Sequence, residues 1–315
     1  MTERPAQIFA FFGAIYLRLP GQMRGMLLLL CATILFSSMH ALIRHVGEAQ
    51  HPFEMAFFRN LFGIIVLAPF FMRYGFGILR TKRLGLHAIR GGVHVGSMLL
   101  FFTAVTVAPL ATVAAMSFTA PLFVTLGAVL LLGEKIRARR IGALLIGFAG
   151  VMIVLRPGAG DLELGALMAL GSSVIWACAL LMIKVLARTE SSLTLTAYMA
   201  LFLTPLSAIP AAFVWQWPSW EELGWLALMG SVGTAGHLCL AQAFREADAT
   251  TVLPLDFLRL IWASLLGFFL FGQVPELFVW IGGAVIFSST IYLTYREAVV
   301  SRQSKKINDP PLPPG

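Results

Sequence analysis

Three charged residues stand inside long apolar stretches of the sequence, where charge is costly. Asp256 and Arg259 are three residues apart within residues 249–271, and Arg59 lies within residues 53–72. Ionisable side chains in such segments mark candidate functional sites, and a guanidinium can hold a carboxylate or phosphate through two parallel hydrogen bonds. Asp256 and Arg259 are therefore predicted to contact a polar substrate or a coupling ion. The alternative is an ion pair that only holds their helix in place.

A second polar group surrounds the junction of the first two apolar stretches. His40 and Arg44 are four residues apart and so share one face of a helix. Glu54 begins the next stretch, five residues before Arg59. These four residues are predicted to bind substrate or to gate the outer side of the membrane. The alternatives are a structural Glu54–Arg59 ion pair and long side chains that reach the interface.

Two histidines and several aromatic rings fall in the middle of other apolar stretches. His94 and His237 are candidates for a proton relay, because histidine titrates near neutral pH; the alternative is a pair of buried neutral imidazoles. Trp176 and Tyr198 add ring faces that, with Asp and Arg, suit a polar molecule carrying a planar ring. Packing against lipid or the core is their simpler role. The histidines lack metal-ligand spacing, so neither a metal nor another cofactor is expected.

Helices must position these side chains, because the composition is that of a membrane protein. Of the 315 residues, 58% are hydrophobic and only 12% are charged, and the mean hydropathy is +0.84. This excludes a soluble globular protein and a nucleic-acid-binding module. Continuous apolar stretches of about 20 residues are typical of membrane-spanning helices. Ten such stretches are predicted, at residues 22–43, 53–72, 86–106, 111–132, 138–155, 162–184, 192–214, 222–243, 249–271 and 277–295.

The placement of basic residues predicts the orientation of the chain. Nineteen of the 23 Lys and Arg residues fall on the side of the amino terminus, and two, Arg44 and Arg156, fall on the other. Positive charge collects on the cytoplasmic side of membrane proteins. Both termini are therefore predicted to be cytoplasmic, and the net charge of +8 is predicted to face lipid headgroups. Residues 1–21 are predicted to be a cytoplasmic or interfacial segment, and residues 297–315 a disordered cytoplasmic tail.

The two halves of the sequence resemble each other at an offset of about 140 residues. The corresponding residues include Gly25 and Gly165, Phe36 and Trp176, Ile43 and Ile183, and Arg44 and Lys184. Residues 22–157 and 160–296 hold five predicted helices each, and an odd number inverts the second half in the membrane. Such repeats are typical of secondary transporters, whose site lies between the halves. The predicted fold is an all-α integral membrane protein of ten transmembrane helices arranged as two inverted five-helix repeats.

Prolines and glycines predict local features of these helices. Pro121 in the fourth helix and Pro254 in the ninth remove a backbone hydrogen bond and favour kinks. Gly92 and Gly96 in the third helix have the spacing of close helix packing. A central cavity is predicted between helices one, three, four, six, eight and nine.

Three motifs of the first half carry a resemblance to a known family. They are Phe57-Phe58-Arg59-Asn60, Ala120-Pro121-Leu122-Phe123 followed by Leu132-Gly133-Glu134, and Ile141-Gly142-Ala143-Leu144-Leu145-Ile146-Gly147 with Gly150-Val151. Residues 22–296 resemble the drug/metabolite transporter superfamily, EamA group, whose members have ten helices as five plus five. In the second half, Gln273 stands where the family pattern has a glutamate.

The resemblance implies a carrier that moves a small metabolite across a bacterial inner membrane by alternating access. Riboflavin and S-adenosylmethionine are the candidate substrates, and export of amino-acid-like metabolites or drugs is the alternative. An intramembrane enzyme or a channel would be a different class of protein; the sequence has no G-x-S-x-G or H-E-x-x-H motif, so no enzyme is expected. The expected partners are the substrate, membrane lipids and a coupling proton, without nucleic acid, and the chain is expected to be a monomer or a homodimer.

Overall fold

Apolar stretches form helices in lipid because the backbone there must satisfy its own hydrogen bonds. The computed structural model describes residues 19–75, 79–132, 138–156, 163–186, 189–190, 192–247 and 253–308. Within these ranges the chain is helical and has no β-strand. The α-helices are α1 (Gly21–Val46), α2 (Pro52–Tyr74), α3 (Leu84–Val107), α4 (Leu110–Ser117), α5 (Ala120–Leu132), α6 (Ala138–Leu155), α7 (Leu164–Leu186), α8 (Ser192–Ala212), α9 (Trp220–Glu246), α10 (Leu258–Phe271) and α11 (Leu277–Asn308). A 3₁₀ turn, Leu253–Phe257, precedes α10.

Across the described ranges, these helices make up ten membrane crossings. Six segments are long and apolar enough to span a membrane: Gly21–Val46, Pro52–Pro69, Leu84–Val107, Leu110–Gly127, Leu164–Ile183 and Trp220–Leu240. Helices α6, α8 and α11 contain shorter apolar stretches. Helix α10, with the 3₁₀ turn before it, supplies the remaining crossing. The predicted all-α membrane fold is confirmed.

The fourth crossing is interrupted in its middle. Helix α4 ends at Ser117 and α5 begins at Ala120. Pro121 has no N–H to donate to the carbonyl group four residues earlier, so one helical hydrogen bond is missing at this point. The ninth crossing begins with the 3₁₀ turn that contains Pro254. The two predicted kinks are therefore an interruption in one crossing and a change of helix type in the crossing equivalent to it.

The two halves pack in a pattern that an inverted repeat explains. Helix α1 makes its most extensive contacts with α9, and α3 makes its own with α7. Because α1 is equivalent to α7 and α3 to α9, the repeat relates one of these helix pairs to the other. Helix α6 packs along α11 and α2 along α8, so these equivalent helices meet each other directly. The packing therefore has the two-fold character that the five-plus-five arrangement requires.

Small residues allow the equivalent helix pairs to approach closely at their ends. Gly25 at the start of α1 faces Ala247, which follows α9, and Gly165 at the start of α7 faces Ala108, which follows α3. At either glycine an added Cβ would overlap the facing alanine. The correspondence of Gly25 with Gly165 in the sequence thus reflects one helix crossing that is built twice.

The small residues of α3 pack differently from the prediction. A Cβ added at Gly92 or Gly96 would meet no atom within 4 Å, whereas Gly91 faces Phe202 on α8. Each residue turns a helix by about 100°, so the packed face of α3 is rotated away from Gly92 and Gly96. The prediction that these two glycines mediate close packing is wrong.

The last helix continues beyond the tenth predicted crossing. Helix α11 ends at Asn308 rather than at residue 296, because no proline or glycine interrupts the sequence before Pro310. The structure thus corrects the predicted disorder for residues 297–308. At the other end, the predicted interfacial segment lies outside the described residues up to residue 18, and α1 begins at Gly21.

Candidate functional site

A central cavity of about 380 Å³ lies between the two repeats. Side chains of α1, α3, α4, α5, α7, α9 and α10, with the 3₁₀ turn, form its walls. These are the six predicted crossings, since α4 and α5 together form one of them. Helix α2 also contributes, through Arg59, which the sequence had placed at the outer side instead. The volume is within the range of small-molecule binding pockets.

Seven of the ten predicted site residues line this cavity: His40, Arg59, His94, Trp176, His237, Asp256 and Arg259. The remaining three lie away from it. The cavity therefore combines two guanidinium groups, one carboxylate and three imidazoles with an apolar and aromatic lining.

Asp256 and Arg259 form an ion pair at the cavity wall. Arg259 Nη2 donates to Asp256 Oδ2, and each side chain is 23% exposed. The Arg259 guanidinium also lies over the ring of Phe118, 5.4 Å from the ring centroid. Its Nε atom is buried without a hydrogen-bond partner among the described residues. The two charges neutralise each other while one donor of the guanidinium remains unused.

Two pairs of rings stand on the two helical walls of the cavity. The ring centroids of His94 on α3 and Trp176 on α7 are 4.5 Å apart, and those of Phe36 on α1 and His237 on α9 are 4.9 Å apart. Phe36 corresponds to Trp176 in the repeat, so each pair places an equivalent aromatic ring against an imidazole. A flat ring that enters between these walls would find ring faces or edges on both sides.

Arg59 brings a third charge into the cavity. Its side chain is 8% exposed, and its Nη1 donates to Asn60 Oδ1 at 2.9 Å. Arg59, His94 and His237 all line the same cavity. Sequence reasoning missed Asn60, although this residue stands beside Arg59 in the first family motif.

Hydrogen-bonded serine hydroxyl groups join α3 and α7 at the cavity. Ser97 Oγ on α3 and Ser172 Oγ on α7 lie 3.1 Å apart, and each donates to the other residue's carbonyl oxygen at 2.9 Å. Ser173 Oγ donates to the Met116 carbonyl oxygen at 3.1 Å. The sequence offered no signal for these hydrogen bonds beyond two adjacent serines. These hydroxyls hold helices together because their hydrogen bonds run to backbone oxygens.

Arg44 lies outside the cavity, near one end of the helix bundle. We call the face where α1 begins the first face, and the face where α1 ends at Val46 the second face. Arg44 lies at the second face. Arg44 Nη1 donates to the carbonyl oxygens of Val105 and Ala108 at 3.1 and 2.7 Å. It shares a helix face with His40, as predicted, but four residues place it about 6 Å further along α1. Arg44 thus caps the end of α3, and its predicted role in binding or gating stays a prediction.

Glu54 is also outside the cavity. It is fully buried near the start of α2, where it accepts a hydrogen bond from the backbone N–H of Gln216. Five residues turn a helix by about 140°, so Glu54 and Arg59 point to different sides of α2. The structure therefore shows neither a shared site nor an ion pair for these two described residues.

Tyr198 ties two elements together at the first face. Its hydroxyl donates to the Leu79 carbonyl oxygen at 2.6 Å, and its ring stacks on His87 with centroids 4.4 Å apart. Helix α8 begins at this face, and Tyr198 is only two turns from its start. Tyr198 is not among the residues that line the cavity, so its predicted contact with substrate stays a prediction.

Three charged residues outside the membrane crossings, Arg156, Glu163 and Glu276, lie at the second face. Arg156, after α6, forms an ion pair with Glu276, before α11. Burial raises the pKa of Glu163, the negative charge of Glu276 raises it further, and Arg44 opposes both effects. Glu163 therefore keeps its proton to a higher pH than an ordinary glutamic acid.

Known proteins are similar to this chain in sequence. The sequence profile of the EamA-like transporter family matches residues 23–156 and 163–295, one match in each half. The chain is 32% identical to an S-adenosylmethionine uptake transporter of Rickettsia bellii, over 84% of this chain and 90% of that protein. It is also 32% identical to a riboflavin transporter of Vibrio cholerae, over 90% of this chain and 97% of that protein.

A solved crystal structure shares the fold as well. It superposes with a TM-score of 0.58 at 22% identity, over 87% of this chain and 98% of its own. This likeness concerns the fold alone, whereas the two profile matches together cover most of the sequence. The chain is a multi-pass membrane protein and belongs to the EamA-like transporter family.

Proposed function

We propose that the protein carries a small polar metabolite with a planar heteroaromatic ring across the bacterial inner membrane. Two relatives are named for the transport of riboflavin and of S-adenosylmethionine, and both molecules contain such a ring. Riboflavin is neutral, and S-adenosylmethionine is a cation at neutral pH. Both are candidate substrates for this chain.

The equivalent ring pairs carry this proposal. Trp176 with His94, and Phe36 with His237, supply ring surface from both repeats to one cavity. Aromatic contacts contribute about 0.5–1.5 kcal/mol each beyond the apolar area they bury. A flat ring between the two walls gains such contacts from both sides, whereas a small aliphatic substrate gains few of them.

Asp256 and Arg259 are proposed to respond to the substrate or to a coupling proton. A ligand with a donor or an acceptor at this end of the cavity competes for one partner of the ion pair. A proton that binds Asp256 releases Arg259 in the same way. Either event changes how α10 is held against the ring of Phe118, and α10 belongs to the crossing that begins with the 3₁₀ turn.

Alternating access is proposed to break one of two equivalent tethers at a time. At the first face, Tyr198 on α8 holds the segment between α2 and α3 through Leu79. At the second face, Glu54 on α2 holds the segment between α8 and α9 through Gln216. The distribution of Lys and Arg makes the first face cytoplasmic in this proposal, with both termini on that side.

Uptake into sealed proteoliposomes tests the proposed function. Labelled riboflavin and S-adenosylmethionine are offered with and without an imposed proton gradient, and empty liposomes serve as the control. We expect saturable uptake of at least one compound, with competition by its unlabelled form. A dependence on the gradient would support a proton role for Asp256. Uptake of neither compound above the control would overturn the proposal of a ring-bearing substrate of this kind.

A further inference from the structure

Arg59 is the cavity charge that no carboxylate neutralises among the described residues. Arg259 is paired with Asp256 in the same cavity, while the described polar partner of Arg59 is the neutral side chain of Asn60. A cation inside a membrane protein is costly unless something compensates it. The guanidinium of Arg59 therefore favours a ligand that brings hydrogen-bond acceptors or negative charge.

Asn60 is held in place by helices from both repeats. Its side chain is 4% exposed. Its Nδ2 donates to Ser207 Oγ on α8 at 3.2 Å and approaches the sulfur of Met98 on α3 at 3.7 Å. Its Oδ1 accepts from Arg59 Nη1 at 2.9 Å. Asn60 thus connects the cavity guanidinium to two neighbouring helices.

The orientation of the Asn60 amide follows from Ser207. The Ser207 hydroxyl donates to the carbonyl oxygen of Leu203 at 2.6 Å, so its oxygen is left to accept a hydrogen bond. The Asn60 amide must therefore turn its nitrogen to Ser207 and its oxygen to Arg59. An amide oxygen can fix a guanidinium without cancelling its charge, which a carboxylate in the same position would do.

Gly233 on α9 lies beside the guanidinium of Arg59. A Cβ at Gly233 would lie 3.4 Å from Arg59 Nε and 3.6 Å from Nη2, which is ordinary van der Waals contact, whereas it would overlap the sulfur of Met39. Arg59 therefore lies between Asn60 and the backbone of α9.

We propose that Asn60 is a positioning residue that presents the uncompensated charge of Arg59 to the ligand. The cavity then selects a neutral or anionic ring with acceptor atoms on its edge over a cationic ligand. This inference rests on the proposed function and names the charge class of its substrate: riboflavin fits it, and S-adenosylmethionine fits it less well.

The variant Asn60→Asp tests this inference, because it keeps the shape of the side chain and pairs Arg59 with a carboxylate. Uptake of riboflavin and of S-adenosylmethionine is measured for the wild type and for Asn60→Asp, and kcat and KM are determined separately. We expect KM for riboflavin to rise by about 10-fold, the effect of a weakened hydrogen bond to a charged group. KM for S-adenosylmethionine should fall or stay unchanged. The kcat/KM for riboflavin divided by that for S-adenosylmethionine should therefore fall by about 10-fold.

Two serine variants accompany this measurement. Ser207→Ala frees the Asn60 amide and should raise KM for riboflavin in the same direction by a smaller factor. Ser231→Ala is the matched control, since that hydroxyl donates within its own helix to Ala227 at 2.7 Å. If kcat/KM falls equally for both ligands in Asn60→Asp, or if the ratio of the two kcat/KM values is unchanged, the positioning role of Asn60 is overturned. If Asn60→Asp does not fold, an unchanged KM in Ser207→Ala has the same meaning.

A stability measurement separates this inference from the proposed function. If the wild-type protein takes up neither ligand, the proposed function fails, and Asn60 is tested without a ligand. Melting temperatures are then measured for Asn60→Ala, Arg59→Gln and the double variant. Contact between the two side chains predicts that their effects do not add. Additive effects would overturn the claim that Asn60 holds Arg59.

Discussion

When either Asp256 or Arg259 is neutralised, the other is left half-buried and without its ionic partner. Such a loss costs about 3–5 kcal/mol in a fully buried pair, which is the upper limit for this one. We expect Asp256→Asn and Arg259→Gln each to lower kcat/KM for uptake by about 100-fold or more. Membrane insertion should stay normal, because the ten crossings do not depend on one pair. Uptake in proteoliposomes and the yield of monodisperse purified protein measure the two effects.

The ion pair of Arg156 with Glu276 supplies a matched control for that prediction. Its side chains are 39% and 58% exposed at the second face. Exposed pairs contribute little to stability, so Arg156→Gln should keep uptake within about two-fold of the wild type. Wild-type uptake in both Asp256→Asn and Arg259→Gln would contradict a role for their pair in transport.

Trp176 and Tyr198 should respond differently to substitution, although both are aromatic residues inside apolar stretches. Trp176→Leu removes a ring face from the cavity and should raise KM by about 3–10-fold. Tyr198→Phe keeps the ring and removes its hydrogen bond to Leu79, which contributes about 1 kcal/mol to stability. Because this hydrogen bond is also the proposed tether at the first face, Tyr198→Phe should lower the melting temperature and change kcat, with a smaller effect on KM than Trp176→Leu. A KM that rises equally in both variants would contradict the placement of the cavity.

Residue type and helical spacing predicted part of the site. A charge, an imidazole or an aromatic ring in an apolar stretch identified seven residues that line the cavity. Arg44, Glu54 and Tyr198 satisfied the same criterion but sit at helix ends, since depth in the membrane is not visible in a spacing pattern. Asn60 escaped notice because it is neutral and because its anchor, Ser207, is 147 residues away in the sequence.

At the scale of helices, the contact of α6 with α11 depends on two glycines. A Cβ at Gly150 would lie 2.9 Å from the Gly282 carbonyl oxygen and 2.8 Å from a side-chain carbon of Ile286. Because the backbone must move to accept it, Gly150→Ala should destabilise the protein by about 1–3 kcal/mol. The melting temperature in detergent measures this loss.

Gly142 lies on the same helix and gives the matched control. A Cβ there would meet no atom within 4 Å. Gly142→Ala should raise stability by about 0.5–1 kcal/mol, because alanine loses less entropy than glycine on forming a helix. A lower melting temperature for Gly142→Ala than for Gly150→Ala would show that the helix contact is placed incorrectly.

Hydropathy located the helices well because each crossing must be apolar along its whole length. It could not separate a kink from an interruption, since Pro121 satisfies both descriptions and the surrounding packing decides between them. The end of α11 was also missed. Residues 297–308 are polar, and only the absence of proline and glycine before Pro310 indicated that the helix continues.

At the scale of the whole molecule, the second face brings the ends of several helices together around Glu163. Its pKa lies above the ordinary value of 4.5 because of burial and the charge of Glu276. A raised pKa means that the folded state favours the protonated form. This contribution is complete below pH 4.5 and is lost as the pH rises through the raised pKa.

The variant Glu163→Gln checks this pH dependence. The melting temperature of the wild type should fall as the pH rises from 4.5. The melting temperature of Glu163→Gln should depend less on pH, because its side chain cannot ionise. The effect should be small, since Glu163 is exposed on one side. Identical profiles for the two proteins would contradict the proposed environment of Glu163.

The inverted repeat explains why one cavity can serve both faces. Equivalent helices meet across the molecule, and the tethers at Tyr198 and Glu54 lie on the equivalent helices α8 and α2 at opposite faces. The offset of about 140 residues in the sequence predicted this symmetry. The charges do not follow it: at the same offset Arg59 corresponds to Met199, so the polar character of the cavity depends on single residues that a repeat cannot predict.

Counterflow of riboflavin is the most direct measurement of a carrier with one alternating site. Proteoliposomes are loaded with unlabelled riboflavin and diluted into a trace of labelled riboflavin. Exchange at a single cavity should make the label accumulate transiently above its equilibrium level, and Arg259→Gln should remove this overshoot. A labelled signal that rises only to equilibrium, at a rate independent of the internal riboflavin, would contradict alternating access and indicate a pore.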